Sequence, residues 1–431
     1  MRSTASRAIA AAAAVLLAVS LGCSLTWAPA RSAETATAND TARFLAGLPP
    51  AADSPLMPLT KDPTWAAHAR FFDSIFAKED ATTLSKVRAF AKAHLTEPHD
   101  TMLYMFSGPD FLYATSFFPA AKTYVLAGLE PVGNIPQLMS LPRGSVYESL
   151  HHLEASLATI LNLSFFITKQ MKEQLSSGPV YGTLPLLYVF LARTGKTVQD
   201  VSLVSLDAQG NFIVAQEPGA ATRERSAPQS TAKGVKIVFT DGSGPPQILY
   251  YFSTDISDGG VKNSGFLQFC DKLGPADSFL KSASYLLHKD FFSKVRKFLI
   301  EHSATILQDD SGIPLAYFDE KKWRLQPFGH YLAPLGIFPG TYQPRMAELF
   351  RNAAPLDFGI GYLWRKDMSN LLLAQRLPPG VEADVNHTFT TGADTAPAGT
   401  ETAKPPRKRP KTTASPPPDG LRGFFSVFGR R

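Results

Sequence analysis

The stretch TMLYMFSGPDFLYATSFFPAAKTYVLAGLEP, residues 101–131, decides the fold class. Residues 102–106 are a short apolar run with strand character. Ser107-Gly108-Pro109-Asp110 then demands a turn, because glycine frees the backbone and proline presets φ. Residues 111–118 fit a helical turn or two. Residues 123–127 form a second strand that stops at Gly128-Leu129-Glu130-Pro131. Strand, loop, short helix and strand within about thirty residues is the length of a βαβ unit, which predicts a parallel pair.

The same reading extends outward. Residues 64–76 and 82–93 space Phe71, Phe72, Ile75, Phe76, Val87 and Phe90 at helical intervals. Residues 148–174 (ESLHHLEASLATILNLSFFITKQMKEQ) lack Gly and Pro and predict a long helix. Residues 201–206 and 211–214 flank Asp207-Ala208-Gln209-Gly210, and 235–239 and 247–252 flank DGSGPP (241–246), so each pair predicts a hairpin. Helical patterns return over 279–288 and 291–300. A short strand at 305–307 leads into Gln308-Asp309-Asp310-Ser311-Gly312, and strand-like segments at 323–328 and 358–364 bracket a helix at 345–351. After Gln375 the pattern stops. The sum predicts the α/β class, a mixed sheet with flanking helices in a single domain over 61–375.

Both ends lie outside that domain. Arg2 and Arg7 precede a charge-free run, residues 8–21 (AIAAAAAVLLAVSL). The run is shorter than the roughly 18–20 residues needed to cross the hydrocarbon core. Ala28-Pro29-Ala30 has the small-x-small form that signal peptidase accepts. Residues 1–30 are therefore expected to be a signal peptide, and the protein to be exported, either periplasmic or secreted. Ser20-Leu21-Gly22-Cys23 inverts the usual lipobox order. Two modes of release stay open: a soluble protein, or a lipoprotein anchored to the membrane through Cys23. Residues 31–60, rich in Ala, Thr, Ser and Pro, read as a linker.

Residues 376–431 form a Pro-rich basic tail with too few apolar side chains to offset the entropy of ordering, so disorder is expected. The eight Lys and Arg of residues 401–431, set against Glu401 and Asp419, account for the whole formal charge of +6. The remainder is neutral and shows no electrostatic footprint for nucleic acid. Lys404, Arg407, Lys408, Arg409 and Lys411, with Phe424, Phe425 and Phe428, suit contact with anionic lipid or cell-wall polymer. A solubilising tail is the alternative.

Candidate chemistry collects at the ends of predicted strands, where open α/β sheets bind ligands. Ser107, Asp110 and Glu130 follow the first two strands. The plainer reading is a tight turn with Asp110 capping the helix at 111–118. The loop lacks the repeated glycines of a dinucleotide fingerprint, and Pro109 removes an amide that a phosphate would use. Asp309 and Asp310 are candidate cation ligands or catalytic carboxylates, yet alone they supply too few oxygens for a hard cation. A solvated β-turn is their plainer reading. His151 and His152 lack the His-Glu-x-x-His spacing, and no Gly-x-Ser-x-Gly elbow occurs. Cys270, within GFLQFC (265–270), reads as a buried inert thiol. No cofactor is evident. The function expected on these grounds is a non-enzymatic binding or scaffold module of the bacterial envelope. An exported hydrolase-like enzyme that uses the strand-end carboxylates is the alternative.

Four segments, YMFSGPDFLY (104–113), YVLAGLEP (124–131), SFFIT (164–168) and LQDDSGIP (307–314), resemble a set of exported bacterial proteins of unknown function. The resemblance spans residues 60 to 365 and implies no activity, fold or site residue.

Overall fold

The βαβ unit of residues 101–131 lies at the centre of a large sheet. The computed structural model of the protein describes residues 36–163, 178, 180–214, 232–332 and 342–378. Among these, ten strands form one mixed sheet. They are β1 (Thr101–Tyr104), β2 (Thr123–Gly128), β3 (Thr197–Leu206), β4 (Phe212–Val214), β5 (Lys233–Thr240), β6 (Gln247–Ser253), β7 (Ala276–Leu280), β8 (Ser303–Gln308), β9 (Trp323–Gly329) and β10 (Asn370–Arg376). Their order is β4-β3-β5-β6-β2-β1-β7-β8-β10-β9. The central five, β6-β2-β1-β7-β8, are all parallel. Both predicted hairpins are present as the antiparallel pairs β3–β4 and β5–β6 on one flank, and β10 and β9 close the other flank antiparallel.

Alternation along each strand sends neighbouring side chains to opposite faces. Met102, Tyr104, Tyr124, Leu126, Tyr251 and Phe279 face one apolar core, whereas Leu103, Met105, Val125, Ala127, Phe252 and Leu280 face a second. Helices cover both faces, which is what parallel strands buried on both sides require. The first core is capped by α1 (Ala38–Leu45), α2 (Pro63–Glu79), α3 (Ser85–His94), α4 (Phe111–Phe117), α5 (Arg143–Leu163) and α6 (Leu184–Arg193). The helices Phe266–Lys272, Ser293–His302 and Pro344–Leu349 cover the second. On α5, Val146, Leu150, Leu153, Leu157 and Ile160 form the buried stripe. The expected extension of this helix to residue 174 lies outside the described residues beyond 163. Among the described residues no helix is long and apolar enough to cross a membrane.

Three expectations are corrected. Residues 36–60 are not a spacer but part of the packed domain. The Thr37 hydroxyl donates to Asp40 (2.8 Å) and accepts the Asp40 N–H (3.0 Å), while the Asp40 carboxylate takes the Ala51 N–H (2.9 Å). These bonds cap α1, which buries Phe44 and Leu45 in the first core. The segment from Phe279 is not a helix over 279–288: residues 276–280 are the central strand β7, and only Ser282–His288 turns as a 3-10 helix. Residues 358–364 hold no strand beyond the isolated bridge between Ile360 and Leu363, and the sheet is extended instead by β10.

Helices α2 and α3 are joined by a π-helical turn, Asp80–Leu84. Asp62 starts α2 by accepting the Thr64 N–H (2.8 Å), with Pro63 at the first helical position. The extra residue of a π-turn shifts the helix face. Here it follows Glu79, which is buried.

Candidate functional site

The site is built where β1 ends. After Tyr104 the chain passes Phe106 and Gly108, both at positive φ (63° and 55°), and turns into α4 at Asp110. The Ser107 hydroxyl donates to the Gly108 carbonyl (2.7 Å) and accepts the Ala127 N–H (3.1 Å), tying this loop to β2. The Gly108 N–H donates to the Ala127 carbonyl (3.2 Å). Ser107 is thus committed to backbone. Gly128 ends β2 in the same crowded place: a Cβ there would lie 2.9 Å from the Gly108 Cα and collide with the Glu130 carboxylate.

Asp110 is the helix cap that its position suggested, and it is also more. One carboxylate oxygen accepts the Tyr113 N–H (3.1 Å) at the start of α4. The other accepts the Tyr104 hydroxyl (2.9 Å) and the ammonium of Lys281 (2.9 Å), the residue after β7. Both side chains of this ion pair are only 2 % exposed. The Lys281 Nζ also lies 3.7 Å from the centre of the Tyr113 ring, a cation–π contact. The Tyr113 hydroxyl donates to Glu79 (2.8 Å) from beyond the π-turn. Burial pulls the Lys281 ammonium below its ordinary range, opposed by the charge of Asp110. Burial pushes the Glu79 carboxyl up to about 7, opposed by its bond from Tyr113 and by the charge of Lys281.

Asp309 and Asp310, which follow β8, are not a solvated turn. Each is 4 % exposed. Asp309 accepts the Ser282 N–H (3.1 Å), the Ser311 N–H (2.9 Å) and the Ser311 hydroxyl. Asp310 accepts the Tyr285 hydroxyl. Burial raises both carboxyls, and the Asp309 charge raises Asp310 further. Hydrogen-bond donors already surround Asp309, so this pair offers a cation little. Among the described residues no group of three or more His, Cys, Asp or Glu is placed to hold a metal ion. His151 and His152 are exposed on α5. Cys270 is buried, and burial pushes its thiol far above the ordinary range.

A cleft of about 760 Å³, its open mouth included, lies over these groups at the carboxyl ends of β6, β2, β1 and β7. Its polar lining comes from Tyr104, Asp110 and Lys281, from Glu130, Thr254 and Asp255, and from Ser282 and Tyr362. Phe106, Leu129, Ile256, Leu286 and Phe292 supply apolar wall. The chain runs from β1 to β2 on one side of β1 and later places β7 on the other. The cleft therefore sits at a topological switch point, the ligand position general to open α/β sheets.

Phe106 and Ser282, each at φ 63°, are the two non-glycine residues at positive φ among those described. Both line the cleft. The Ser282 hydroxyl is buried and finds no hydrogen-bond partner among the described residues. Backbone strain of this kind costs on the order of 1–3 kcal/mol per residue and gathers at ligand sites.

The chain matches no protein-family model, no curated protein and no solved structure. Function must therefore be read from the site. Of the residues singled out in the sequence, Ser107, Asp110 and Glu130 line the cleft, while Asp309 and Asp310 are buried beside it and do not. Cys23, Lys404, Arg407, Lys408, Arg409, Lys411, Phe424, Phe425 and Phe428 lie outside the described residues. Sequence reasoning missed Lys281, Ser282, Tyr113 and Glu79. The one available signal was Lys281-Ser282 directly after the apolar pair Phe279-Leu280, and that signal was hidden by a helical reading of the segment.

Proposed function

We propose that this is a binding protein of the bacterial envelope, exported by its signal peptide, which holds a small organic molecule in the switch-point cleft. One observation carries the reading: the cleft is lined by a buried, mutually satisfied Lys281–Asp110 pair and by a Ser282 hydroxyl that has no partner in the described chain. A polar network satisfied before ligand arrives is a rigid platform, and the buried hydroxyl gains a hydrogen bond when the cleft is occupied. Ala283 lines the cleft half-buried, so Ala283→Trp fills it. Saturation-transfer NMR with phenethylammonium, 2-phenylethanol and phenylacetate is expected to show binding of at least one probe to the wild type and none to Ala283→Trp. Silence from all three probes, or signal unchanged by the tryptophan, removes the reading.

Ser282 favours a second reading, an exported hydrolase. A serine at positive φ between a central strand and a helical turn is the placement of a nucleophile at a strand end. A fluorophosphonate reagent would then label Ser282, and intact mass unchanged after prolonged exposure excludes it. The tail adds a separate element to the proposal, contact with anionic surfaces. Full-length protein is expected to sediment with phosphatidylglycerol vesicles at low salt, and a chain lacking residues 404–431 to remain in the supernatant. Equal sedimentation ends that part.

A further inference from the structure

We propose that the ligand of the cleft is an uncharged molecule with an apolar body and one hydroxyl or carbonyl group, which pairs with the Ser282 hydroxyl; this rests on the cleft being the binding site. The charges that line the cleft are engaged with the protein or with solvent. The Lys281 ammonium and the Asp110 carboxylate compensate one another at 2.9 Å, and the Tyr104 hydroxyl donates to the same carboxylate (2.9 Å). The Tyr251 hydroxyl lies 3.3 Å from the Glu130 carboxylate and 2.9 Å from the Glu130 carbonyl. Asp255 is exposed, where water screens its charge, and it accepts the Ser257 N–H (2.8 Å). An ionic ligand would shed its hydration to enter and would meet charges already committed elsewhere. An uncharged ligand gives up far less hydration.

Ser282 differs from these groups. Its Oγ is buried without a hydrogen-bond partner among the described residues, whereas the Ser107 hydroxyl is bound to backbone. The Ser282 N–H donates to Asp309 (3.1 Å), which holds the backbone at this point. A Cβ on Gly361 would lie 3.3 Å from the Ser282 Oγ, so the hydroxyl stands at the side of the cleft to which the next residue, Tyr362, contributes. Serine turns about χ1 among staggered positions, and its hydroxyl can swing to a ligand without moving the chain. It both donates and accepts, so it serves an alcohol or a carbonyl compound alike. The apolar body is met by Phe106, Leu129, Ile256, Leu286 and Phe292. The rings of Phe106 and Phe292 stand 5.5 Å apart at 60°, edge to face, and leave a wall on which apolar surface is removed from water.

The three probes named above share one ring and differ in charge, so titration of the full chain followed by NMR separates the outcomes. 2-Phenylethanol is expected to bind roughly tenfold or more tightly than either phenethylammonium or phenylacetate. Ser282→Ala and Ser282→Gly both remove the hydroxyl, but only glycine relieves the positive φ. Both are expected to fold and to weaken the alcohol by about fivefold, the change that one hydrogen bond is worth. Equal weakening in the two variants assigns the effect to the hydroxyl rather than to the backbone. If a charged probe binds as tightly as the alcohol, and Ala283→Trp still blocks it, the cleft is a binding site and the uncharged-ligand reading is wrong. Undiminished alcohol binding by both Ser282 variants also overturns it. Absence of all binding removes both readings together.

Discussion

Lys281→Met is expected to destabilise the fold by about 3–5 kcal/mol at pH 8, the range for breaking one partner out of a buried ion pair. Methionine matches the lysine stem in length and leaves no cavity of note. The loss comes from charge: Asp110 would stay 1 % exposed without its cation, and Glu79 and Asp309 would lose the positive charge that now favours their ionised forms. At pH 5 the loss should be clearly smaller, because buried carboxyls without a cation can take up protons. Urea unfolding at both pH values, followed by tryptophan fluorescence, measures it; Trp65 and Trp323 are both buried reporters. An equal loss at pH 5 and pH 8 would trace the effect to packing and refute the electrostatic account. Pairing the change with Asp110→Asn, which retains a helix-capping side chain, should recover part of the stability at pH 8.

The second large effect has the opposite sign. Glu79→Gln is expected to stabilise the protein at pH 8 by about 1–3 kcal/mol and to change little at pH 4.5. The Glu79 carboxyl titrates at about 7 in the folded chain against an ordinary value of 4.5, chiefly because it is buried. Below the ordinary value it is protonated in both states and exacts no penalty. As pH rises from 4.5 to 7 the unfolded chain ionises first, and the fold loses stability by up to roughly 3 kcal/mol from this group. Glutamine cannot ionise and still accepts from the Tyr113 hydroxyl. The stability profile of the variant should therefore be flatter across that window. Asp309 and Asp310, raised by burial, act in the same direction. His68 and His288, lowered by burial, act in the other, so their contributions are lost as pH falls. A variant whose urea midpoint tracks the wild type from pH 4.5 to 8 would show that Glu79 does not titrate in this range.

The same residues show how far local pattern reaches. The Gly-Pro turn and the two apolar runs around it placed β1, α4 and β2 correctly, and the turn residues of 207–210 and 241–246 placed both hairpins. Asp110 and Glu130 were legible as strand-end acids because strand ends are marked by turn chemistry. β7 was not legible. Its sequence, ADSFL, is short and fully buried, and periodicity cannot separate such a strand from one turn of buried helix. β10 was overlooked for a related reason: five of its seven residues are buried, so little alternation marks it as a strand. The solvated-turn reading of Asp309 and Asp310 followed the usual rule for Asp-Asp-Ser-Gly. It failed because Ser282 and Ser311 donate to Asp309 and Tyr285 donates to Asp310, which makes burial tolerable.

By itself the sequence determined the α/β class, the central βαβ unit, the hairpins, most helices, and the fact that acidic groups stand at strand ends. Those features depend on residues near one another along the chain, where spacing and turn chemistry are read directly. Only the tertiary structure decided that β7 lies beside β1, that Lys281 is buried against Asp110 and Tyr113, and that a cleft opens above them. A lysine becomes a buried cation only where distant segments exclude water and supply its counter-charge. No local pattern carries that information, because a lysine on a solvated helix and one at the floor of a cleft look alike until the chain has folded.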